Sequence, residues 1–305
     1  MAQRLILLAT MKQNRVLITG ANGLLGKNLV TRLLNYGYEV FGLVRERTAF
    51  VALENYHEIE LDLLSDFDSD KLPIEINTIV HLAQSPEFKN FPSSANNVFT
   101  VNTFSTMKLL DYARKTDVNK FIYASSGAVY EATDELISKN SNLIEVGSPN
   151  FYAITKLASE YLVGAYKELM ATSILRFFFI YGPGQDSRML FPALALKLKN
   201  GESITLNGPE GIRINPIHVL DAAKRVHEFI ESDMPGTFNI SGRESVTIKG
   251  ICELMSTELE VNPTYEVKNE AKNVEVKITD DLFLNSSEEL SLREGVHHFL
   301  NDYKY

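Results

Sequence analysis

The sequence predicts an α/β fold, a doubly wound parallel sheet followed by a smaller C-terminal α/β region. Three observations carry that prediction. Short apolar runs bounded by turn residues alternate with helix-period segments through roughly the first 180 residues. The first of these runs leads into three glycines spaced three apart, Gly20, Gly23 and Gly26. A later run ends in two serines, so hydroxyls emerge at the carboxyl end of the strands, where open sheets of this kind bind ligands.

Taken in order, Val16-Leu17-Ile18-Thr19 is a short buried strand and Gly20 to Gly26 a turn. Leu24, Leu25, Leu29, Leu33 and Leu34 then mark one apolar helix face. Val40 to Val44 forms the second strand, and further strands are Ile76 to His81, Phe121 to Ser125 and Ser173 to Phe178. Helices near 97–116 and 150–169 lie between them. After Tyr181-Gly182-Pro183-Gly184 the alternation breaks, with strand-like patches at 203–206, 212–218 and 237–240. The expected organisation is a first domain over 1–182 and a second over 183–305, with 214–241 returning to the first.

Composition narrows the function classes. With 45% hydrophobic and 23% charged residues the chain is ordinary for a globular protein. Its 39 acidic against 30 basic residues, a formal charge of −9, argue against nucleic acid or an anionic membrane as the main partner. The single cysteine, Cys252, excludes an intrachain disulfide and a cysteine zinc cluster, which points to a reducing compartment and the cytoplasm. The apolar run Leu5 to Ala9 is far too short to span a membrane, and residues 1–10 read as a leader or tag before Met11. His81 and His218 fall on strands, His57 and His227 read as surface residues, and His297-His298 are helix neighbours without ligand spacing. No metal site is expected.

The glycines bring the first chemistry. Between a strand and a helix, missing side chains let the backbone turn tightly and approach a pyrophosphate, whose charge is stabilised by the free N–H groups of the helix. The spacing is G-x-x-G-x-x-G rather than G-x-G-x-x-G. At the end of the second strand an NAD site places a carboxylate and an NADP site an arginine. Here Val44 is followed by Arg45, with Glu39 and Glu46 before and after, so NADP is favoured and NAD remains possible. Tyr152 and Lys156 stand one helical turn apart on one face. A phenol ordinarily titrates near about 10, and an adjacent ammonium favours its phenolate, which suits proton exchange with a substrate hydroxyl. Ser126, at the strand end Ala124-Ser125-Ser126-Gly127, is placed to hydrogen-bond a reacting oxygen.

In this order the pieces make the chain resemble the extended short-chain dehydrogenases/reductases, the Rossmann-like family of NAD(P)-dependent nucleotide-sugar epimerases, dehydratases and ketoreductases. They are Thr19-Gly20-Ala21-Asn22-Gly23-Leu24-Leu25-Gly26, Leu61-Asp62-Leu63, Val80-His81-Leu82-Ala83-Gln84, Asn102, Ser125-Ser126 with Val129-Tyr130, Tyr152-x-x-x-Lys156, Tyr181-Gly182-Pro183-Gly184 and Ile217-His218-Val219. The resemblance implies that Asp62 and Leu63 contact adenine, that Leu82, Ala83 and Gln84 line the cofactor near its ribose, and that Asn102 helps hold the site. It also implies that Lys156 binds the nicotinamide ribose and that the chain pairs as a homodimer through the two long helices.

Departures from the family pattern narrow the reaction. Gly127-Ala128 stand where dehydratases carry Asp-Glu, and no cysteine stands near the serine. Phe179 replaces an asparagine that contacts the diphosphate in many members, Arg213 lies one residue further from His218 than usual, and Glu131 follows Val129-Tyr130. What remains is reduction of a nucleotide-linked 4-keto sugar, favoured by the NADP reading, or 4-epimerisation with a retained cofactor. A dinucleotide-binding sensor without chemistry is the non-enzymatic alternative.

Overall fold

The computed structural model describes residues 14–47, 53–268, 276–277 and 289–302. The leader expected at residues 1–10 and the start expected at Met11 lie outside the described residues. Strand β1 (Arg15–Thr19) enters helix α1 (Leu24–Asn35), which buries Leu25, Leu29, Val30 and Leu33. Each such side chain contributes about 1.5–3 kcal/mol by leaving water. Strands β2 (Glu39–Val44), β3 (Tyr56–Glu60) and β4 (Thr78–His81) follow.

The helix expected near 97–116 is composite. Helix α2 (Ala95–Phe99) passes through a π-helical turn over Thr100–Phe104 into α3 (Ser105–Lys115). Strand β5 (Lys120–Ser126), helix α4 (Phe151–Ala165) and strand β6 (Ala171–Phe177) continue the alternation. Helix α4 stops at Ala165, short of the expected 169.

Beyond it come β7 (Ile180–Tyr181), α5 (Leu190–Lys199), β8 (Ile204–Asn207), β9 (Arg213–Ile214), β10 (Ile217–His218), α6 (Val219–Glu231) and β11 (Gly236–Ile240). Then follow β12 (Val246–Thr247), α7 (Ile248–Leu259), β13 (Tyr265–Lys268), β14 (Val276–Lys277) and α8 (Leu292–Asp302).

Seven strands form one sheet in the order β11-β6-β5-β4-β1-β2-β3, and β1 pairs in parallel with both β2 and β4. The strand order therefore reverses at β1, and the carboxyl ends of β1 and β4 bound the crevice where doubly wound sheets bind ligands. Thr19 and His81 are register partners at that edge.

The chain divides into two units whose segments interleave along the sequence. The first holds residues up to Ser125 with Ser148–Ile174 and Val226–Gly236, and the second holds Ser126–Gly147, Leu175–Arg225 and Thr237 onward. Leu17, Phe41, Ile79, Leu109, Phe121 and Val163 belong to the core of the first. Tyr181, Phe191, Ile214, Ile251, Met255 and Phe299 belong to that of the second. His227, expected at the surface, is buried instead: its Nδ1 accepts from Arg32 Nε at 3.1 Å and its ring meets Tyr36 and Tyr38 edge-on. Burial pushes its pKa down. The reason is its place on α6, one turn beyond Ala223 and next to Val226, both buried.

Candidate active site

The glycine turn is shaped by close approach. Gly20 has φ +69°, and a Cβ there would lie 3.0 Å from Ala83 Cα, so the loops leaving β1 and β4 can pass only without a side chain. At Gly26 a Cβ would fall 2.1 Å from the Gly20 carbonyl oxygen, which locks the first turn of α1 against the loop. Gly23 N donates to Gly20 O at 2.9 Å, and Asn22 Nδ2 donates to Glu46 O at 3.0 Å, tying the turn to the segment after β2. Helix α1 starts at Gly23 with no side-chain cap and no acid in its first turn. Its leading N–H groups and positive end are thus open to an anion, which fits the phosphates of a dinucleotide. Leu24 is half-buried and Leu25 packs inward.

The neighbouring strand ends carry the other predicted cofactor residues. Arg45 follows β2 with 63% of its side chain exposed, 3.8 Å from Glu46. Asp62 is exposed after β3 and accepts from Leu64 N at 3.0 Å. Leu63 instead turns its side chain into the core. After β4, Leu82 and Ala83 are half-buried and Gln84 is exposed.

Helix α4 carries the side chains predicted to be catalytic. Asn150 caps it by accepting from Ala153 N at 3.1 Å, which sets the first turn and with it Tyr152. Tyr152 Oη donates to Gln84 Oε1 at 3.0 Å. One turn on, Lys156 is 2% exposed, donates from Nζ to Ala124 O at 2.8 Å, and lies 5.0 Å from the Tyr123 ring centroid and 6.0 Å from that of Tyr152. Burial pushes the Lys156 ammonium down to about 7, against the opposing charge of Glu160.

Asn102, 1% exposed in the π-helical turn, accepts from Ser85 N at 2.8 Å and donates to Thr155 Oγ1 at 3.0 Å. Thr155 Oγ1 donates in turn to Tyr152 O at 2.8 Å. Asn102 therefore fastens the loop after β4 to the helix that carries Tyr152.

Behind this network His81 joins strand to helix. Thr106 Oγ1 donates to Asn102 O at 2.7 Å, so His81 Nε2 is the donor in its 3.0 Å contact with Thr106, and Nδ1 accepts from Thr19 Oγ1 at 2.6 Å. Burial drives the His81 pKa down to about 3, which keeps the ring neutral.

Within the first unit, then, Gly20, Ala83, Gln84, Asn102, Tyr152 and Lys156 are linked by direct contacts or through Thr155, with Arg45 and Asp62 at adjacent strand ends. Ser126 belongs to the second unit, at the end of β5, where its Oγ accepts from Ala128 N at 3.1 Å. Sequence reasoning missed Thr155 and Glu160. The signal for Glu160 was its spacing, four residues beyond Lys156 as Lys156 is beyond Tyr152.

Two departures in the second unit have a conformational side. Phe179 holds φ +47°, a region an asparagine tolerates and a bulky residue rarely adopts, and it packs half-buried against the core of that unit. At Gly127 a Cβ would come within 2.7 Å of the Phe178 ring, so the residue after Ser126 is restricted to glycine by packing. His218 is buried on β10, its Nε2 3.0 Å from His298 Nδ1, and burial pushes its pKa down to about 4.

Residues 16–241 match the model of the NAD dependent epimerase/dehydratase family. The chain is 23% identical to protein CapI of Staphylococcus aureus, over 95% of this chain and 98% of that protein. It is 26% identical to a dTDP-4-dehydro-6-deoxy-D-allose reductase from a Streptomyces species, over 76% and 77% of the two chains. The crystal structure of UDP-glucuronic acid 4-epimerase from Bacillus cereus in complex with UDP-glucuronic acid and NAD superposes with a TM-score of 0.83 at 23% identity, covering 94% of this chain and 98% of that one.

Proposed function

The chain belongs to the NAD-dependent epimerase/dehydratase family, as an enzyme of the extended short-chain dehydrogenase/reductase type, and from that premise we propose that it is a nucleotide-sugar 4-epimerase that retains its cofactor through each turnover. Hydride-transfer chemistry of either kind is supported by the buried Lys156 ammonium one turn from Tyr152, whose hydroxyl is held by Gln84 at the ligand-binding end of the sheet, and the epimerase in particular by the likeness to a 4-epimerase in complex with NAD.

A bound nicotinamide dinucleotide supplies the hydride acceptor and donor. Tyr152 takes the proton of the sugar hydroxyl as the carbinol becomes a ketone, and gives it back when the ketone becomes a carbinol again. Lys156 keeps that exchange accessible near neutrality by its positive charge and holds the nicotinamide ribose, while Ser126 donates to the carbonyl oxygen. Gly20, Asn22, Gly23, Leu24, Leu25 and Gly26 would seat the pyrophosphate, and Asp62 and Leu63 the adenine. Leu82, Ala83 and Gln84 would lie along the ribose and Asn102 would hold the site. The first 182 residues would hold mainly the dinucleotide and the remainder mainly the sugar.

The same residues serve a 4-keto reductase, which the sequence reading favours. That second reading keeps one specific support, the exposed Arg45 after β2, suited to the 2′-phosphate of NADP. The similarity to a 4-epimerase in complex with NAD weighs at least as much for the epimerase.

A homodimer is part of the proposal. Phe99, Phe104 and Met107 of the composite helix and Ile154 and Tyr161 of α4 leave large apolar surface exposed, at 39% or more of each residue. So is a cytoplasmic setting, consistent with a lone, buried, reduced Cys252; among the described residues no helix is long and apolar enough to cross a membrane.

The test is to incubate the purified protein with a panel of nucleotide-linked 4-hydroxy and 4-keto sugars, following nicotinamide absorbance and sugar configuration by NMR. Inversion of a hydroxyl without net cofactor consumption is the expected result. Stoichiometric oxidation of NADPH with a ketone becoming an alcohol would replace the epimerase with the reductase. Silence in both channels would sink both readings.

A further inference from the structure

We propose that Glu160 is a positioning residue for the reaction: a buried carboxylate, one turn beyond Lys156 on the same face of α4, that keeps the Lys156 ammonium charged.

The argument starts from burial. Lys156 is 2% exposed and Glu160 6%, and both sit on the side of α4 turned toward β5. Successive residues of β5 receive them: Ala124 O accepts from Lys156 Nζ, and Ser125 Oγ donates to Glu160 Oε1 at 2.5 Å. The strand thus offers the ammonium a neutral acceptor and the carboxylate a hydroxyl donor. The spacing of four residues along the helix brings the two charges to one face.

A buried ammonium whose contacts are neutral carbonyls and rings sheds its proton, because desolvation penalises the charged form. Among the groups facing Lys156, Ala124 O comes from β5, the Tyr123 ring from the same strand at 5.0 Å, His81 from β4, and Tyr152 and Glu160 from α4 itself. His81 is held neutral by burial and the Tyr123 phenol is pushed upward by it, so neither supplies a negative charge near neutrality. Glu160 does. Burial alone takes Lys156 toward neutrality, and the Glu160 charge works in the opposite direction.

The consequence reaches Tyr152. The ammonium lowers the barrier to proton exchange only while it is charged, so Glu160 sets how far up the pH scale the site stays active. The serine beside the expected catalytic Ser126 acquires a distinct task here: Ser125 donates to the Glu160 carboxylate and orients it.

The effect on turnover rests on the function proposed above, but the charge claim is read without it. The apo protein, labelled with 13C at the lysine ε carbons, is titrated by NMR, with the Lys156 signal assigned by its loss in Lys156→Arg. In Glu160→Gln the Lys156 midpoint falls by about one pH unit or more, the size expected for losing an adjacent opposite charge. Glu160→Asp, which keeps the charge, falls less. Ser125→Ala lowers the midpoint in the same direction by a smaller amount, and gives the answer if Glu160→Gln does not fold.

With a nucleotide sugar that the enzyme turns over, the alkaline limb of the kcat profile in Glu160→Gln moves to lower pH by the same interval. Activity at about pH 8 then drops roughly tenfold and recovers on acidification. An unmoved Lys156 midpoint, with kcat lowered evenly across pH, overturns the proposal and leaves Glu160 a packing residue. Failure of every nucleotide sugar sinks the functional reading and leaves the titration to decide the charge claim.

Discussion

Two regions of the first unit make opposite use of side chains. The turn from Gly20 to Gly26 is built by leaving them out: at 20 and 26 a single Cβ would collide with backbone, and what the helix start presents is peptide N–H groups without a side-chain cap. The α4 face from Tyr152 to Glu160 is built by putting charged and polar side chains where water does not reach. A backbone site is insensitive to pH and sensitive to a methyl group. A buried ionic site adds a second sensitivity: it depends on geometry too, and it also responds to protonation.

That contrast can be broken or sharpened by substitution. The largest expected effect is at Tyr152. Removing its hydroxyl as Tyr152→Phe lowers kcat by about 10²–10⁴ while the dissociation constant for the dinucleotide, measured by fluorescence titration, stays essentially unchanged. Full activity in that variant would end the assignment of Tyr152 as the proton carrier.

Next comes the opposite lesion, Gly26→Ala. A Cβ at 2.1 Å from Gly20 O forces the first turn of α1 away from the loop, which costs about 1–3 kcal/mol in urea unfolding and weakens dinucleotide binding. Equal effects on binding and on the pH profile in both variants would erase the distinction between the two regions.

The smallest effect is at Arg45, an exposed cation. Arg45→Ala weakens NADPH by about tenfold, the range of one charge-assisted contact, and leaves NADH unchanged. Equal losses for the two cofactors would refute contact with a 2′-phosphate and remove the support for the reductase.

The shape of the backbone-made region was legible in the sequence because its message is local: glycines at fixed spacing between a strand and a helix give a tight, close-packed turn. The alternation that predicts the doubly wound sheet is equally local, and all five predicted strands of the first 180 or so residues overlap observed ones. The side-chain region was half legible. Tyr152 and Lys156 announce themselves by type and spacing, but the tasks of Thr155 and Glu160 depend on what α4 packs against.

Other misses have the same origin. His227 looks in sequence like any histidine on an amphipathic helix, and only Arg32, Tyr36 and Tyr38 of another helix and its following turn explain its burial. Leu63 carries an expected adenine contact by motif, yet the core claims its side chain. The choice between reductase and epimerase was tilted by Arg45, one exposed residue, and the chain is similar to proteins of both kinds.

The π-helical turn over Thr100–Phe104 has a bearing on how this helix can change. Such a turn is an α-helix that has absorbed an additional residue, and each residue of an α-helix advances its faces by about 100°. The inserted residue lets one continuous rod address two audiences: Asn102 and Thr106 turn to the polar network, while Phe99, Phe104 and Met107 look outward. Excising one residue here would tidy the helix and swap its faces, taking Asn102 from Ser85 and Thr155 while every other amino acid of the chain stayed in place. A length change that most exposed loops would absorb is, at this point, a change of orientation.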